Sequence, residues 1–185
     1  MAPCCIATPS RNTGSRRIIV EASVSTNRSP SCSATSHPPR SRRHSPMNDS
    51  TAFPQVFAPG LLNGQVALVT GGGTGIGLGI SELLAELGAH VVIASRKPQH
   101  LDAALAAITA RGHRASVVPL DVRDPEQVKA VVDGVASAHG RIDLLVNNAA
   151  GNFYAPSATL SPNAWKAVVE IDLYGTFYCS QAVQH

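Results

Sequence analysis

Short apolar runs alternate with helical patterns from Gln65 to the end of the chain. The apolar runs predict strands at 65–70, 90–95, 115–120 and 142–146. The intervening segments predict helices at 75–87, 98–111 and 125–138, and a final helix that begins near Ser161 and Pro162. Strands this apolar, each followed by a helix, are typical of a parallel sheet covered on both faces. The pattern therefore predicts an α/β fold with a doubly wound parallel sheet.

The pattern also divides the chain into three regions. Residues 1–46 hold seven arginines, ten serines and one acid, Glu21, with Ile18-Ile19-Val20 as the main apolar cluster. Such a segment cannot bury enough apolar surface to offset the entropy lost on ordering, so we expect a disordered basic tail. We expect residues 47–64 to form an ordered lead-in in which prolines block regular structure. We expect residues 65–185 to form the folded domain.

Three interpretations of the tail stay open. An organellar transit peptide would be rich in Arg and Ser and poor in acids, as this tail is. A basic tail could bind an acidic partner through Arg40-Ser41-Arg42-Arg43. A misplaced start would make Met47 the first residue. A bacterial protein, or one that starts at Met47, would be cytoplasmic, whereas in a eukaryote a peroxisomal or mitochondrial location stays open.

Charge and cysteine content exclude several classes of function. Residues 47–185 hold eight Lys and Arg against eleven Asp and Glu, so the domain lacks the basic face of a nucleic-acid binder. Three of the four cysteines lie in the tail and the histidines are scattered, which predicts neither a disulfide framework nor a metal site. Cys179 is interpreted as a packing residue. No apolar run approaches the roughly eighteen residues of a membrane span, so we expect no membrane partner.

A glycine-rich turn joins the first predicted strand of the domain to the first predicted helix. A dinucleotide pyrophosphate needs this order, because backbone N–H groups must approach the phosphates and a helix N-terminus offers free donors. A kinase-type phosphate loop is disfavoured, since no Lys-Ser/Thr pair follows the glycines. The predicted nucleotide contacts in this turn are Gly71, Thr74, Gly75, Ile76 and Gly77.

The second strand ends in Ala94-Ser95-Arg96-Lys97, about twenty residues beyond the glycine turn, where an NAD enzyme carries an acid for the ribose hydroxyls. Here no acid would repel a 2′-phosphate, and Ser95, Arg96 and Lys97 could bind it, Arg96 through its bidentate fork. We therefore expect NADP(H) in preference to NAD(H). The alternative is a solvated basic loop.

The spacing Thr-Gly-x-x-x-Gly-x-Gly and the segment Asn147-Asn148-Ala149-Ala150-Gly151 resemble the short-chain dehydrogenase/reductase family. The second motif has one alanine more than the usual family form. The resemblance implies a Rossmann-like fold, and it implies that Asp121 and Val122 lie at the adenine ring. It also implies a strand end that the nucleotide's ribose approaches, formed by Asn148, Ala149, Ala150 and Gly151. For Asp121, the alternative is a cap on the next helix.

The segments Gly151-Asn152-Phe153 and Leu160-Ser161-Pro162-Asn163-Ala164-Trp165-Lys166 narrow the resemblance to the 2,4-dienoyl-CoA reductases of the peroxisomal type. It implies reduction of 2,4-dienoyl-CoA thioesters by NADPH, with a small acyl-CoA substrate as partner and a homo-oligomeric full-length form. Asn152 and Phe153 would then lie at the nicotinamide and acyl pocket. For Trp165 we prefer hydrophobic packing.

Asp172 is the candidate catalytic residue. Most members of the short-chain family carry Asn at this position, whereas peroxisomal-type dienoyl reductases carry Asp and lack the usual catalytic tyrosine. The resemblance implies that Asp172 works with a lysine and a water to deliver a proton. A carboxyl buried near the nicotinamide could act as a general acid. The alternative is a structural Asp with a polar partner.

The family's Ser and Tyr-x-x-x-Lys have no counterpart here, so the resemblance covers about residues 60–185, the front half of the fold. We expect a partial NADP-binding Rossmann domain that has no reductase activity by itself. Its fourth strand would be an open apolar edge prone to aggregation. The alternatives are a carbonyl reductase or alcohol dehydrogenase of the same family, and a non-catalytic nucleotide-binding fragment.

Overall fold

A computed structural model describes residues 18–21 and 56–184 of the chain. Five parallel strands form one sheet in the order β1-β5-β2-β3-β4. The strands are β1 (Ile18–Glu21), β2 (Val66–Thr70), β3 (His90–Ser95), β4 (Ala115–Pro119) and β5 (Leu144–Asn147). The predicted α/β fold with a parallel sheet is therefore confirmed. The other residues of the predicted tail, and residues 47–55 of the lead-in, lie outside the described residues.

Five α-helices connect and follow the strands. They are α1 (Gly75–Glu86), α2 (Pro98–Ala110), α3 (Pro125–His139), α4 (Pro162–Val169) and α5 (Gly175–Val183). A short 3-10 turn spans Ser157–Thr159, and a π-helical turn, Glu170–Tyr174, separates α4 from α5. The single final helix that the sequence predicts is thus divided by this turn.

Side-chain caps fix where two of the helices begin. The Asp124 carboxylate accepts hydrogen bonds from the backbone N–H groups of Glu126 and Gln127, 3.0 and 3.1 Å away, and so caps α3. The Ser161 hydroxyl accepts from the N–H of Ala164 at 3.2 Å and caps α4, as the sequence predicts. At the other end of α3, Gly140 adopts the left-handed conformation (φ 73°) that ends the helix.

β5 begins two residues later than the sequence predicts. Ile142 and Asp143 precede the strand, and both are buried although Asp143 is acidic. The Asp143 carboxylate accepts a hydrogen bond from the N–H of Val66 at 2.9 Å. The Asp143 N–H also donates to the Val66 carbonyl at 2.8 Å, so two hydrogen bonds join the segment before β5 to the start of β2.

The sheet separates two apolar clusters. On one face Leu68 and Leu145 pack with residues of α3 and α5, and on the other face Ala67 and Val69 pack with residues of α1 and α2. Alternate strand residues point to opposite faces, so β2, β3, β4 and β5 each contribute to both clusters. Cys179 of α5 is buried in the first cluster, and burial raises the pKa of its thiol to about 12. Its predicted role in packing is confirmed.

The predicted open edge at β5 is wrong. β1 pairs with β5 in parallel over four residues, from Ile18 opposite Leu144 to Glu21 opposite Asn147. Residues 18–21 are the part of the predicted tail that the structure describes, and they form this strand. The physical reason is that Ile-Ile-Val is a β-branched run, which favours extended structure, and that the edge of β5 offers unpaired backbone groups to it.

Within the described part of the chain, no helix is both long enough and apolar enough to cross a membrane.

Replacement of Leu68 by Ala should destabilise the fold by about 2–5 kcal/mol, because the side chain is completely buried in the centre of the sheet and its loss leaves a cavity. Urea denaturation followed by circular dichroism measures this change in the free energy of unfolding. Leu83→Ala is the matched control, since Leu83 is 45% exposed and should cost less than about 1 kcal/mol. Equal losses in the two variants would contradict this description of the core.

Candidate functional site

A cleft of about 420 Å³ lies at the carboxyl ends of the parallel strands, the edge at which ligands bind in doubly wound sheets. It brings together twelve of the residues that the sequence predicts for nucleotide binding. They are Gly71, Thr74, Gly75, Ile76, Gly77, Ser95, Arg96, Asp121, Val122, Asn148, Ala149 and Ala150. Lys97 and Gly151 were predicted with them, but neither lines the cleft.

The glycine turn passes close to the loop that follows β5. Gly71 adopts a left-handed conformation (φ 65°), and a Cβ atom on it would lie 3.0 Å from the Ala149 Cα and the Asn148 Nδ2. A Cβ atom on Gly77 would overlap the Gly71 carbonyl oxygen and the Asn148 Nδ2. Glycine is therefore required at both positions for the backbone to follow this path.

The N-terminus of α1 opens into the cleft with its donors uncovered. The first N–H groups of a helix have no partner within the helix. Thr74, at the N-cap, makes no side-chain capping bond, and the first turn of α1 holds no acidic residue. The backbone at Gly75, Ile76 and Gly77 lines the cleft at the positive end of the helix dipole. This arrangement suits a phosphate group.

Thr70 and Asn148 tie the glycine turn to the loop after β5. The Thr70 hydroxyl accepts hydrogen bonds from the N–H groups of Asn148 and Ala149, at 3.0 and 3.1 Å, and donates to the Val146 carbonyl at 3.3 Å. The Asn148 amide donates to the carbonyls of Thr70 and Gly71, at 3.1 and 3.2 Å. Asn148 therefore satisfies loop backbone as predicted, whereas the role of Thr70 was missed.

Arg96 forms the basic end of the cleft. Its guanidinium is half-exposed, and its Nη1 lies 4.0 Å from the Asp121 Oδ2. Ser95 lies beside it in the cleft lining. Lys97 is exposed at the N-cap of α2 and points no atom into that lining. Two of the three side chains predicted to bind a 2′-phosphate, Ser95 and Arg96, thus line the same part of the cleft.

Asp121 is held by Arg123 and does not cap a helix. The Arg123 Nε lies 3.0 and 3.1 Å from the two carboxylate oxygens, and Nη2 lies 2.5 Å from Oδ2. These hydrogen bonds hold the pKa of Asp121 below its ordinary value, against the opposing effect of partial burial. Asp124 caps α3 instead, so the capping interpretation of Asp121 is wrong.

Asp172 lies on the π-helical turn and holds the loop that leaves the cleft. Its Oδ1 accepts a hydrogen bond from the N–H of Gly151 at 2.8 Å. The side chain is exposed, so the expected buried carboxyl is not found. The structure instead gives Asp172 the polar partner that the alternative interpretation requires.

The predicted substrate residues lie beyond the cleft. Asn152 and Phe153 follow Gly151 on an exposed loop, and half of the Phe153 surface is accessible. Trp165 is 62% exposed, so its predicted packing is wrong. No residue of α4 is fully buried, and Trp165 lies on the exposed side of this helix.

Three lining residues were not predicted: Ala94, Leu120 and Ile171. Ala94 and Leu120 end apolar runs at the carboxyl edge of the sheet, and that position was a signal that could have found them. Ile171 reaches the cleft from the π-helical turn, and the pattern of apolar residues in the sequence does not indicate that turn. Among the described residues, no group of three or more His, Cys, Asp or Glu side chains could hold a metal ion.

Comparison with known proteins places this geometry in a family. Residues 65–185 match the family described as short chain dehydrogenase. The chain is 45% identical over 132 residues to a peroxisomal 2,4-dienoyl-CoA reductase, (3E)-enoyl-CoA-producing, of Danio rerio, a match that covers 71% of this chain and 44% of the relative. A probable 2,4-dienoyl-CoA reductase of Bacillus subtilis is 40% identical over 118 residues, 64% of this chain and 46% of the relative.

Solved structures agree with these matches. The citronellol catabolism dehydrogenase AtuB of Pseudomonas aeruginosa superposes with a TM-score of 0.66 and 38% identity over 69% of this chain and 52% of that chain. A metagenomic short-chain oxidoreductase in complex with NADP gives a TM-score of 0.64 and 38% identity over 66% and 56%. The chain spans about half the length of the curated relatives it matches.

Replacement of Gly77 by Ala should weaken binding of a nicotinamide dinucleotide at least tenfold, about 1.4 kcal/mol, because the new methyl group must push the glycine turn away from Asn148. Fluorescence titration with NADPH measures the dissociation constant. Gly79→Ala is the matched control, since a Cβ atom there meets nothing within 4 Å on the same helix. If the two variants bind NADPH equally well, the close approach does not shape the site.

Proposed function

This chain belongs to the short-chain dehydrogenase family, and we propose that its cleft binds NADPH for the reduction of 2,4-dienoyl-CoA thioesters. The proposal rests on one observation: two features that bind anions lie in the same cleft. One is the uncapped N-terminus of α1, and the other is the Arg96 guanidinium at the end of β3. A dinucleotide that carries a pyrophosphate and a 2′-phosphate matches both.

The order of the lining residues supports one orientation of the nucleotide. The pyrophosphate would lie over the backbone of Gly75, Ile76 and Gly77. The adenosine half would extend toward β3 and β4, with the 2′-phosphate at Ser95, Arg96 and the adjacent Lys97, and the adenine beside Asp121 and Val122. Because Arg123 already neutralises the Asp121 carboxylate, that acid would not repel a phosphate held by Arg96.

The nicotinamide half would extend in the opposite direction, past the loop after β5. Asn148, Ala149 and Ala150 line the cleft there, and their small side chains leave space for a ribose. The loop then continues through Gly151 to Asn152 and Phe153. We propose that these last two residues meet the acyl part of the substrate, which the exposure of Phe153 permits.

The substrate class is inferred from the relatives. Their names describe 2,4-dienoyl-CoA reductases. When bound, NADPH supplies a hydride, which would go to the terminal carbon of the conjugated diene. A proton is then required near the α carbon. The names of several relatives also support a peroxisomal location, and a homo-oligomer is expected for the full-length form.

Asp172 is our candidate for the proton donor, with a lysine and a water as partners. Its hydrogen bond to Gly151 places the carboxylate at the point where the loop leaves the cleft. The same bond gives Asp172 a second role, since it fixes the path of the segment that leads to Asn152. The two roles are separable, because only the first needs an ionisable group.

A carbonyl reductase or alcohol dehydrogenase is the second candidate. The observation in its favour is the similarity to the citronellol catabolism dehydrogenase, at 38% identity. A comparison of dienoyl-CoA, ketone and alcohol substrates with the full-length protein discriminates the two. Binding of NADPH without turnover of any of them would instead favour a non-catalytic nucleotide-binding protein.

The chain should bind NADPH more tightly than NADH, and Arg96→Gln should weaken NADPH binding at least tenfold with little effect on NADH. The lost interaction is a charge-assisted hydrogen bond to the 2′-phosphate, worth about 1.5–3 kcal/mol. Calorimetric titration of both nucleotides measures the two constants. Arg111→Gln is the matched control, because Arg111 pairs with Glu82 away from the cleft. Tighter binding of NADH by the parent chain would refute the assignment of NADPH.

Asp172→Asn in the full-length enzyme should lower kcat about 100-fold or more while the dissociation constant of NADPH stays within about twofold. The Asn Oδ1 can still accept the Gly151 hydrogen bond, so the variant removes the proton and keeps the contact. Steady-state reduction of a dienoyl-CoA, monitored by NADPH absorbance, gives the rate. Undiminished turnover would rule out the acid role and leave Asp172 as a positioning residue.

A further inference from the structure

Asp121 is an acid at the end of the cleft where a 2′-phosphate would bind. It lines the same cleft as Ser95 and Arg96. The Asp121 Oδ2 lies 4.0 Å from the Arg96 Nη1, so a small rotation of the half-exposed Arg96 side chain would bring the two groups into a close pair. A carboxylate in this position opposes a 2′-phosphate in two ways. It repels the phosphate, and it competes with the phosphate for the Arg96 guanidinium.

Arg123 occupies the Asp121 carboxylate, although Arg123 is not among the residues that line the cleft. Its Nε lies 3.0 Å from Oδ1 and 3.1 Å from Oδ2, and its Nη2 lies 2.5 Å from Oδ2. Both carboxylate oxygens therefore accept hydrogen bonds from the Arg123 side chain. The contact with Arg96 is the longest that this carboxylate makes with either guanidinium.

The position of Asp121 does not depend on the Arg123 side chain alone. The backbone N–H of Arg123 donates to the Asp121 Oδ1 at 3.1 Å, a contact between residues two apart that closes a local turn. The backbone N–H of Asp121 donates to the Gln127 Oε1 at 2.6 Å. A change of the Arg123 side chain therefore removes the charge that balances Asp121 and leaves both of these contacts in place.

Protonation does not remove the charge of Asp121 at neutral pH. The side-chain hydrogen bond from Arg123 is the main reason that the pKa of Asp121 lies below its ordinary value. The carboxylate is thus ionised when the nucleotide binds, and a neighbouring cation must balance it. Arg123 and Arg96 are the two cations that pair with it in the described part of the chain.

We propose that Arg123 determines the specificity of the cleft for a 2′-phosphate, because it holds the Asp121 carboxylate and so leaves Arg96 available to the phosphate. Arg123 is a positioning residue, since it acts through Asp121 and does not itself line the cleft. The inference rests on the proposed function, in that it accounts for a preference of NADPH over NADH.

Arg123→Gln in the full chain should lower the preference for NADPH, expressed as the ratio of the NADH to the NADPH dissociation constant, about fivefold. This is the size of a unit-charge interaction across about 4 Å of water. Calorimetric titration at low ionic strength, where screening is weak, measures both constants. Arg111→Gln is the matched control, because it removes the same charge from a pair with Glu82 outside the cleft and should leave the ratio unchanged.

A second substitution separates a charge effect from a structural one. Asp121→Asn added to Arg123→Gln should return the ratio to within about twofold of the parent, because the carboxylate that competes for Arg96 is then gone. A purely structural role of the pair would not be rescued, since the double variant lacks the ion pair as well. Any contact of residue 121 with the adenine is common to both nucleotides and cancels in the ratio.

The outcomes distinguish this inference from the proposed function. A parent chain that prefers NADPH, with the same ratio in Arg123→Gln, would overturn the inference and leave the proposed function intact. A lowered ratio that Asp121→Asn does not restore would also overturn it, because Arg123 would then act without Asp121. A parent chain with no preference for NADPH would overturn both.

Discussion

The turn after β2 and the loop after β5 approach each other within van der Waals contact, and the site is built around that approach. Neither Gly71 nor Gly77 could carry a side chain there, and Thr70 and Asn148 fasten the two segments together with hydrogen bonds. The approach fixes the direction in which α1 begins. As a result, the unpartnered donors of that helix point into the same cleft that β3 and β5 border.

The positive potential of the cleft is local. Residues 47–185 carry more acidic than basic side chains, so the domain as a whole does not attract anions. Attraction comes from the end of α1 and from Arg96, and the acid at the same edge, Asp121, is neutralised by Arg123. A site of this kind selects a ligand by the position of its phosphates, whereas a generally basic surface would bind any polyanion.

Local patterns in the sequence predicted the parts of the structure that depend on local interactions. The strands, the glycine turn and the cap at Ser161 follow from periodicity and from residues close together in the chain, and all three are confirmed. The pairing of Ile18–Glu21 with β5 joins segments more than 120 residues apart, so no local pattern could indicate it. Exposure of Trp165 was also unpredictable, because it depends on whether another segment covers α4. The π-helical turn around Asp172 likewise has no marker among neighbouring residues.

The claim that the cleft is the dinucleotide site is tested most directly by mapping NADPH onto the backbone amides with NMR. NADPH bound in the cleft should shift the amides of Gly75–Gly77, Ser95 and Arg96, and Asn148–Ala150, and leave the amides of Val131 and Gly134 in α3 unchanged. These α3 residues border a separate apolar groove beside β4 and provide the internal reference. Shift changes centred on that groove, with none at Gly75–Gly77, would show that the dinucleotide binds elsewhere.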